Sequence, residues 1–250
     1  MRLGILGGGR AAWAFGSTWR QIGWPLAGVW LRDGSTSRVP DLLGTSRVPL
    51  ADLAHESEVL FVAVTDSALA EVVDLIPETD AIIFHASGSL GSVRGGFSLH
   101  PLRALPAVGE PSDLAGTLLV FEGCCRHTAR LIAAAANARL AEIDPASKPL
   151  YHAAAVFGAN YVAAVADIAE RLIEEAGVHD AHEDVYRLAL SALTNWRDQT
   201  GTARFTGPAA RGEQETLTAH AAALTHHPQL AEIYELLAAE IRRSLVATDD

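Results

Sequence analysis

Basic residues are few in this sequence: 19 Lys and Arg stand against 30 Asp and Glu, a formal net charge of −11. A surface that binds nucleic acid or an anionic membrane needs clustered cations, so neither is expected as a partner, while a small anion held by local arginines is compatible with the composition. Cysteine is scarcer still. The only two, Cys124 and Cys125, are adjacent and cannot cross-link a fold; they open a helix pattern and are expected to be buried spectators. No apolar run is expected to approach the roughly 20 residues of a membrane span, and no basic leader with an apolar stretch precedes the first strand pattern. A cytoplasmic location follows as the simplest expectation. What is present is 250 residues, 49% of them hydrophobic, enough for one large domain or two moderate ones.

Short apolar runs at 3–6, 26–31, 59–64, 81–85 and 118–121 have the composition of strands buried on both faces. Amphipathic stretches separate several of them. Residues 11–22 place Ala12, Phe15, Trp19 and Ile22 on one face, and 67–76 follow Asp66, a good N-cap. The alternation predicts an α/β domain over residues 1–145, with a Rossmann-like parallel sheet and helices on both faces. Residues 146–250 read as an all-α C-terminal bundle. After the linker-like Pro145-Ala-Ser-Lys-Pro149, residues 150–176 hold no proline and only Gly158, which predicts one long helix of about 40 Å. Further helices are expected over 184–197, 213–224 and 228–245.

The stretch Leu6-Gly-Gly-Gly-Arg-Ala-Ala12 joins the first strand to the first helix. Gly7-x-Gly9-x-x-Ala12 is the spacing of a dinucleotide-binding turn. There Gly7 permits the tight turn and Gly9 lets backbone approach a pyrophosphate. Ala12 keeps the helix close to the sheet, while Gly8, Arg10 and Ala11 complete a helix N-terminus that attracts phosphate. Past the second strand come Arg32-Asp33-Gly-Ser-Thr-Ser-Arg38. A guanidinium with hydroxyl donors suits the 2′-phosphate of NADP, whereas Asp33 offers the carboxylate an NAD site uses; NADP is the favoured cofactor.

The segments LGILGGGRAAWAF, FVAVTDSAL, HASGSLG, LHPLRAL, YHAAAVFGANYVAAV and FTGPAARGEQETLTAH, in that order, resemble an uncharacterised family pairing a Rossmann-like NADP-binding domain with a helical C-terminal domain of unknown function. More distantly the chain is similar to the 6-phosphogluconate dehydrogenase-like superfamily, which includes pyrroline-5-carboxylate reductase, prephenate dehydrogenase and the β-hydroxyacid dehydrogenases. The resemblance implies an NADP-dependent oxidoreductase acting on a small, carboxylate-bearing substrate, as a dehydrogenase or an imine or ketone reductase. A homodimer through the helical domain is expected. A dinucleotide-binding sensor or scaffold without turnover is the alternative.

Strand-end loops should carry the site. Val64-Thr65-Asp66 would contact the cofactor ribose through backbone, with Asp66 also capping the next helix. Gly88 would let backbone approach the nicotinamide, and Ser87 would orient a carbonyl or imine. His100-Pro101 resembles the His-Pro motif of prephenate dehydrogenase, which makes His100 a general acid–base candidate. Tyr151, His152 and Asn160 lie on the segment that crosses the cleft in this superfamily. Asn160 matches the Asn of the Lys-x-x-x-Asn pattern of the β-hydroxyacid dehydrogenases, but Val156 stands at the lysine position, which removes the usual cationic donor. Arg211 falls where pyrroline-5-carboxylate reductase holds its substrate carboxylate, and His220 follows on the next helix. His179, His182 and Asp184 are ligand types without a partner set of metal-site spacing, so no metal is expected.

Overall fold

The computed structural model describes residues 1–246. The chain forms two compact units, Met1–Val162 and a second from Ala163 onward. In the first unit, β1 (Leu3–Leu6), α1 (Arg10–Gln21), β2 (Leu26–Trp30), α2 (Val39–Leu43), α3 (Leu50–Glu56), β3 (Val59–Val62) and α4 (Asp66–Leu75) lead to β4 (Ile82–His85), β5 (Phe97–Pro101) and β6 (Leu118–Gly123). Then come α5 (Arg126–Ala135), β7 (Arg139–Glu142) and α6 (Lys148–Val156).

The seven strands lie in the order β2-β1-β3-β4-β5-β6-β7. Every neighbouring pair is parallel except β5 and β6, which are antiparallel. All residues of β1 and β3 are buried because helices cover both sheet faces. On one face Phe15 and Trp19 of α1 and Ile132 of α5 join a core that contains Phe61, Phe84, Phe97 and Phe121. On the other, Leu53 of α3 and Leu69, Val72 and Val73 of α4 pack on Leu6, Leu60 and Val62.

Register aligns Phe61 with Phe84 and Phe84 with Phe97 across three parallel strands. Their rings stack at 4.6 and 4.9 Å, so one aromatic row fixes both the pairing and the face of α1. A buried phenylalanine contributes on the order of 2–3 kcal/mol of transfer free energy.

Two strands exceed the sequence pattern. β5 is five residues ending in proline, and β7 is a partly exposed edge with the burial pattern exposed–half–half–exposed; neither carries a long apolar run. The division between units falls at Val162, not at 145. Residues 145–162 belong with the sheet because Lys148, at the start of α6, is 1% exposed and bonded beneath it.

The expected single helix is a helical run with an interruption: a 3-10 turn at Pro145–Ser147, α6, a π-helical turn at Phe157–Tyr161, and α7 (Val162–Glu175). Gly158, without a side chain, lies inside the π turn, a feature frequent at functional sites. The expectation about apolar runs is corrected here. By length and composition, Pro145–Glu175 is long and apolar enough to cross a membrane, with a mean hydropathy of 1.2 in its most apolar window; alanines and valines separated by few charges produce this. Cys124 is exposed and Cys125 half-buried, not buried as expected, because Cys125 takes the left-handed N-cap position of α5.

The second unit contains most of α7, then α8 (His182–Asp198), α9 (Pro208–Arg211), α10 (Gln214–Ala223) and α11 (Pro228–Val246). Ala209, Leu217 and Ala238 form its small core, with Tyr234 and Ile241 against them. Tyr186, Leu188, Leu193 and Trp196 of α8 are exposed.

Candidate functional site

The glycine turn leaves β1 at Leu6. Gly7 has φ +120°, and a Cβ there would stand 2.2 Å from the Ala63 carbonyl oxygen, so the neighbouring strand end excludes every side chain. Gly9 differs. Its backbone is extended, with φ −91° and ψ −169°, and a Cβ there would meet nothing within 4 Å. Neither strain nor packing within the protein calls for glycine at this position. Gly9 is the N-cap of α1, no side chain caps that helix and its first turn holds no acid. The first N–H groups of α1 are therefore free for an anion. Ala12 is fully buried and brings α1 close to the sheet.

A groove of about 630 Å³ runs from this turn along Arg10 and Ala11 to Arg32, with Val64, Thr65 and Ala68 on its other side. The expected cofactor residues Gly7, Gly8, Gly9, Arg10, Ala11, Arg32, Val64 and Thr65 all line it. Arg32 is exposed and its Nη2 donates to Glu71 Oε2 at 3.1 Å. Arg38 lies elsewhere, lining a separate hollow with Gly8, Thr36 and Ser37. The cap of α4 is corrected: Thr65 is its N-cap and Asp66 its first residue, with Asp66 Oδ2 accepting from the Ser89 hydroxyl at 2.7 Å. Asp66 thereby ties α4 to the loop after β4.

That loop and the end of β5 carry the titratable groups. The Ser87 N–H donates to His85 Nδ1, so His85 keeps its proton on Nε2 and donates to the Gly91 carbonyl. Burial holds its pKa below the usual value, and it acts as a neutral strut. Ser87 Oγ accepts the N–H groups of Ser89 and Leu90. The hydroxyl expected to orient a substrate thus also shapes its own turn.

His100 Nδ1 is 2.6 Å from the Tyr151 hydroxyl, and the His152 ring stands perpendicular to His100 at 5.7 Å. Gly88 is pressed against both imidazoles: a Cβ there would be 2.5 Å from His152 Cδ2 and 3.1 Å from His100 Nε2. Burial, reinforced by the neighbouring His152 and by the positive charge of Lys148, lowers the His100 pKa to about 4. Burial raises that of Tyr151 to about 12. The pair is neutral across the physiological range.

Beneath it lies a cation that the sequence reading missed. Lys148 Nζ donates to Ser98 Oγ at 2.6 Å and to the Ser87 carbonyl at 3.2 Å, and stands 4.0 Å from Glu122 Oε2. Glu122, also buried, accepts from the Ser92 N–H and hydroxyl. Burial lowers the Lys148 pKa, and Glu122 opposes that effect. In the sequence Lys148 reads as part of a linker. The available signal was a lone lysine between two prolines at a helix start, four residues before His152.

Asn160 is exposed within the π turn. Arg211, in the second unit, pairs bidentately with Glu213 and donates to the Thr206 carbonyl. His220, also there, bonds the Tyr234 hydroxyl. Among the described residues no group of His, Cys, Asp and Glu is placed to hold a metal ion; His182 pairs with Glu170.

Residues 122–241 match the family described as a domain of unknown function, DUF2520. No curated protein matches the chain. Among solved structures it is similar to protein TM1727 from Thermotoga maritima, at 21% identity and a TM-score of 0.83, covering 97% of this chain and 99% of that one. It is also similar to the reductive aminase from Aspergillus terreus in complex with NADPH4, cyclohexanone and allyl amine, at 19% identity, TM-score 0.68, and coverage of 98% and 94%. Pyrroline carboxylate reductase from Plasmodium falciparum with NADP bound matches at 12% identity and a TM-score of 0.59 over 98% of each chain. The Rossmann-like domain followed by helices is thus a shared fold, with DUF2520 spanning the end of the sheet and most of the helical part.

Proposed function

We propose that this chain is an NADP(H)-dependent oxidoreductase that reduces an imine or ketone, or runs the reverse reaction, on a small carboxylate-bearing substrate. One observation carries the reading: Gly9 and the uncapped start of α1 form an open phosphate cradle at one strand end, while two neighbouring strand ends and α6 bring Gly88, His100 and Tyr151 together. The residues fit a dinucleotide. Gly7–Gly9 and α1 would hold its pyrophosphate, Val64 and Thr65 its ribose, and Arg32 a 2′-phosphate. When bound, the nicotinamide supplies or accepts hydride.

The chain's own part is to hold a proton and a dry wall. With the Tyr151 hydroxyl donating to Nδ1, His100 holds its proton on Nε2, on the ring edge that faces Gly88. A neutral donor at that place polarises a carbonyl or imine without introducing a buried charge. Gly88, without a side chain, lets the loop after β4 pack directly against the His100 and His152 rings. The carboxylate class rests on the likeness to pyrroline carboxylate reductase, and Arg211 would serve it only after exchanging Glu213 for substrate.

The same reading includes a homodimer, supported by the exposed apolar side chains of the helical run, Leu150 at 77% and Phe157 at 67%, which a second copy would cover. Light scattering should then return twice the chain mass; a monomer that partitions onto lipid vesicles would replace the dimer with a membrane contact.

The deciding experiment is a thermal-shift titration with NADPH, NADH, NADP⁺ and NAD⁺, followed by an assay of nicotinamide oxidation with cyclic imines, keto acids and semialdehydes. A ligand at 100 times its Kd stabilises by about 2.7 kcal/mol, a shift of roughly 5–10 °C for a chain of this size. No shift with any nucleotide ends the reading. A shift without turnover on any substrate favours a dinucleotide sensor, whereas turnover unchanged by His100→Ala removes His100 from the catalytic role.

A further inference from the structure

The arginines at the adenosine end of the groove are not equivalent. Arg47 is committed to backbone: its Nη2 donates to the carbonyls of Leu31 and Arg32 at 2.9 Å each and lies 3.6 Å from Asp33. Arg10 turns its Nη1 to the Leu105 carbonyl. Arg32 instead donates to a side chain, Glu71 on α4. Arg32 stands on the β2 side of the groove. Glu71 lies one helical turn past Ala68, which lines the opposite side, so the ion pair joins the two walls.

We infer that Glu71 sets the cofactor preference of this groove, opposing a dinucleotide with an adenosine 2′-phosphate and leaving one with a free 2′-hydroxyl unaffected. This rests on the cofactor reading above and extends it. The argument is an exchange of anions at one cation. Arg32 and Glu71 side chains are 47% and 65% exposed, so the pair is weak and opens readily. A phosphate dianion is the stronger partner for a guanidinium. To gain it, Arg32 must leave Glu71, whose carboxylate then remains beside the phosphate as an uncompensated like charge. A hydroxyl at the same place demands neither change. The NADP preference that Arg32 implies is therefore partly cancelled by the residue it pairs with.

The test is a fluorescence titration of the full chain with NADPH and NADH, for the wild type, Glu71→Gln, Arg32→Gln and the double variant, with circular dichroism to verify folding. Glu71→Gln should tighten NADPH about three- to fivefold relative to NADH. The gain should shrink in high salt and vanish in the double variant. An unchanged or lowered ratio in Glu71→Gln overturns the inference, as does a gain that persists without Arg32. Wild type that is folded and binds neither nucleotide defeats the cofactor reading itself, an outcome separate from a wild type that binds both with Glu71→Gln indifferent.

Discussion

His100 on β5 and Tyr151 on α6 are 51 residues apart in sequence and 2.6 Å apart at Nδ1 and the phenol oxygen. One is driven neutral from the acid side and the other from the base side by the same burial. The contact gives the imidazole a fixed orientation and a pKa far from that of a solvated histidine.

That pKa predicts a pH dependence. In the unfolded chain His100 titrates near 6.5; in the folded site it titrates at about 4. Between these values the unfolded chain binds a proton that the folded chain refuses. The stability contributed by neutral His100 is full above pH 6.5 and falls as pH drops towards 4, by about 3 kcal/mol at most. Proton NMR of the imidazole should show His100 untitrated from about pH 5.5 upward. Tyr151→Phe should leave that insensitivity in place, because burial dominates, while lowering turnover through lost orientation. A His100 midpoint near 6.5 would sink the assignment.

The glycines of the turn should separate folding from binding. Gly7→Ala meets the Ala63 carbonyl and must adopt φ +120°, so it should cost at least about 1–3 kcal/mol from backbone strain. Gly9→Val has open space and an ordinary extended backbone, and should stay within about 1 kcal/mol of wild type. Yet Gly9→Val should abolish the NADPH thermal shift, because the side chain occupies the place of a phosphate. Retained NADPH binding in Gly9→Val would refute the phosphate cradle.

The residues most legible in sequence were those whose role is local. Gly7, Gly9 and Ala12 are spaced by the geometry of one turn, and the strands at 3–6 and 59–62 announce themselves as apolar runs. β5 was harder: Phe97-Ser-Leu-His-Pro alternates weakly, ends in proline and gains its identity from pairing with β4 and β6. His100 was singled out from its motif, but Tyr151 was noted only by position, since nothing local says that a residue 51 places away meets it. Lys148 and Glu122 were missed for the same reason. Charged residues read as surface until the fold shows two of them buried together, and Pro-Ala-Ser-Lys-Pro reads as a linker although it starts a helix whose Lys148 is buried and bonded to Ser98 of β5. The membrane-length run was missed because alanine contributes hydropathy without looking like a core.

The aromatic row makes a plain stability prediction. Phe84 lies between Phe61 and Phe97 and touches Phe15 and Trp19 as well. Phe84→Ala should cost about 3–5 kcal/mol in urea unfolding. Phe84→Leu, which retains most of the volume, should cost about 1.5 kcal/mol or less. Equal losses would mean that the row is not close-packed.

Lys148 tests whether the buried ion pair is only structural. Removing the ammonium in Lys148→Met leaves Glu122 buried with its Ser92 and Ser98 hydrogen bonds but no cation, which should cost about 3–5 kcal/mol. Glu122→Gln added to Lys148→Met takes away the uncompensated charge and should recover part of that loss; a double variant no more stable than the single one would count against the pairing. A second readout concerns the site above. Lys148 is one of the positive charges that hold the His100 pKa down, so in folded Lys148→Met the NMR midpoint of His100 should move upward towards the ordinary value while remaining below it, because burial is the larger cause. Loss of stability with no movement of His100 would confine Lys148 to the scaffold. The two changes together would mean that one buried cation both anchors the loop at Ser87 and keeps the neighbouring imidazole neutral.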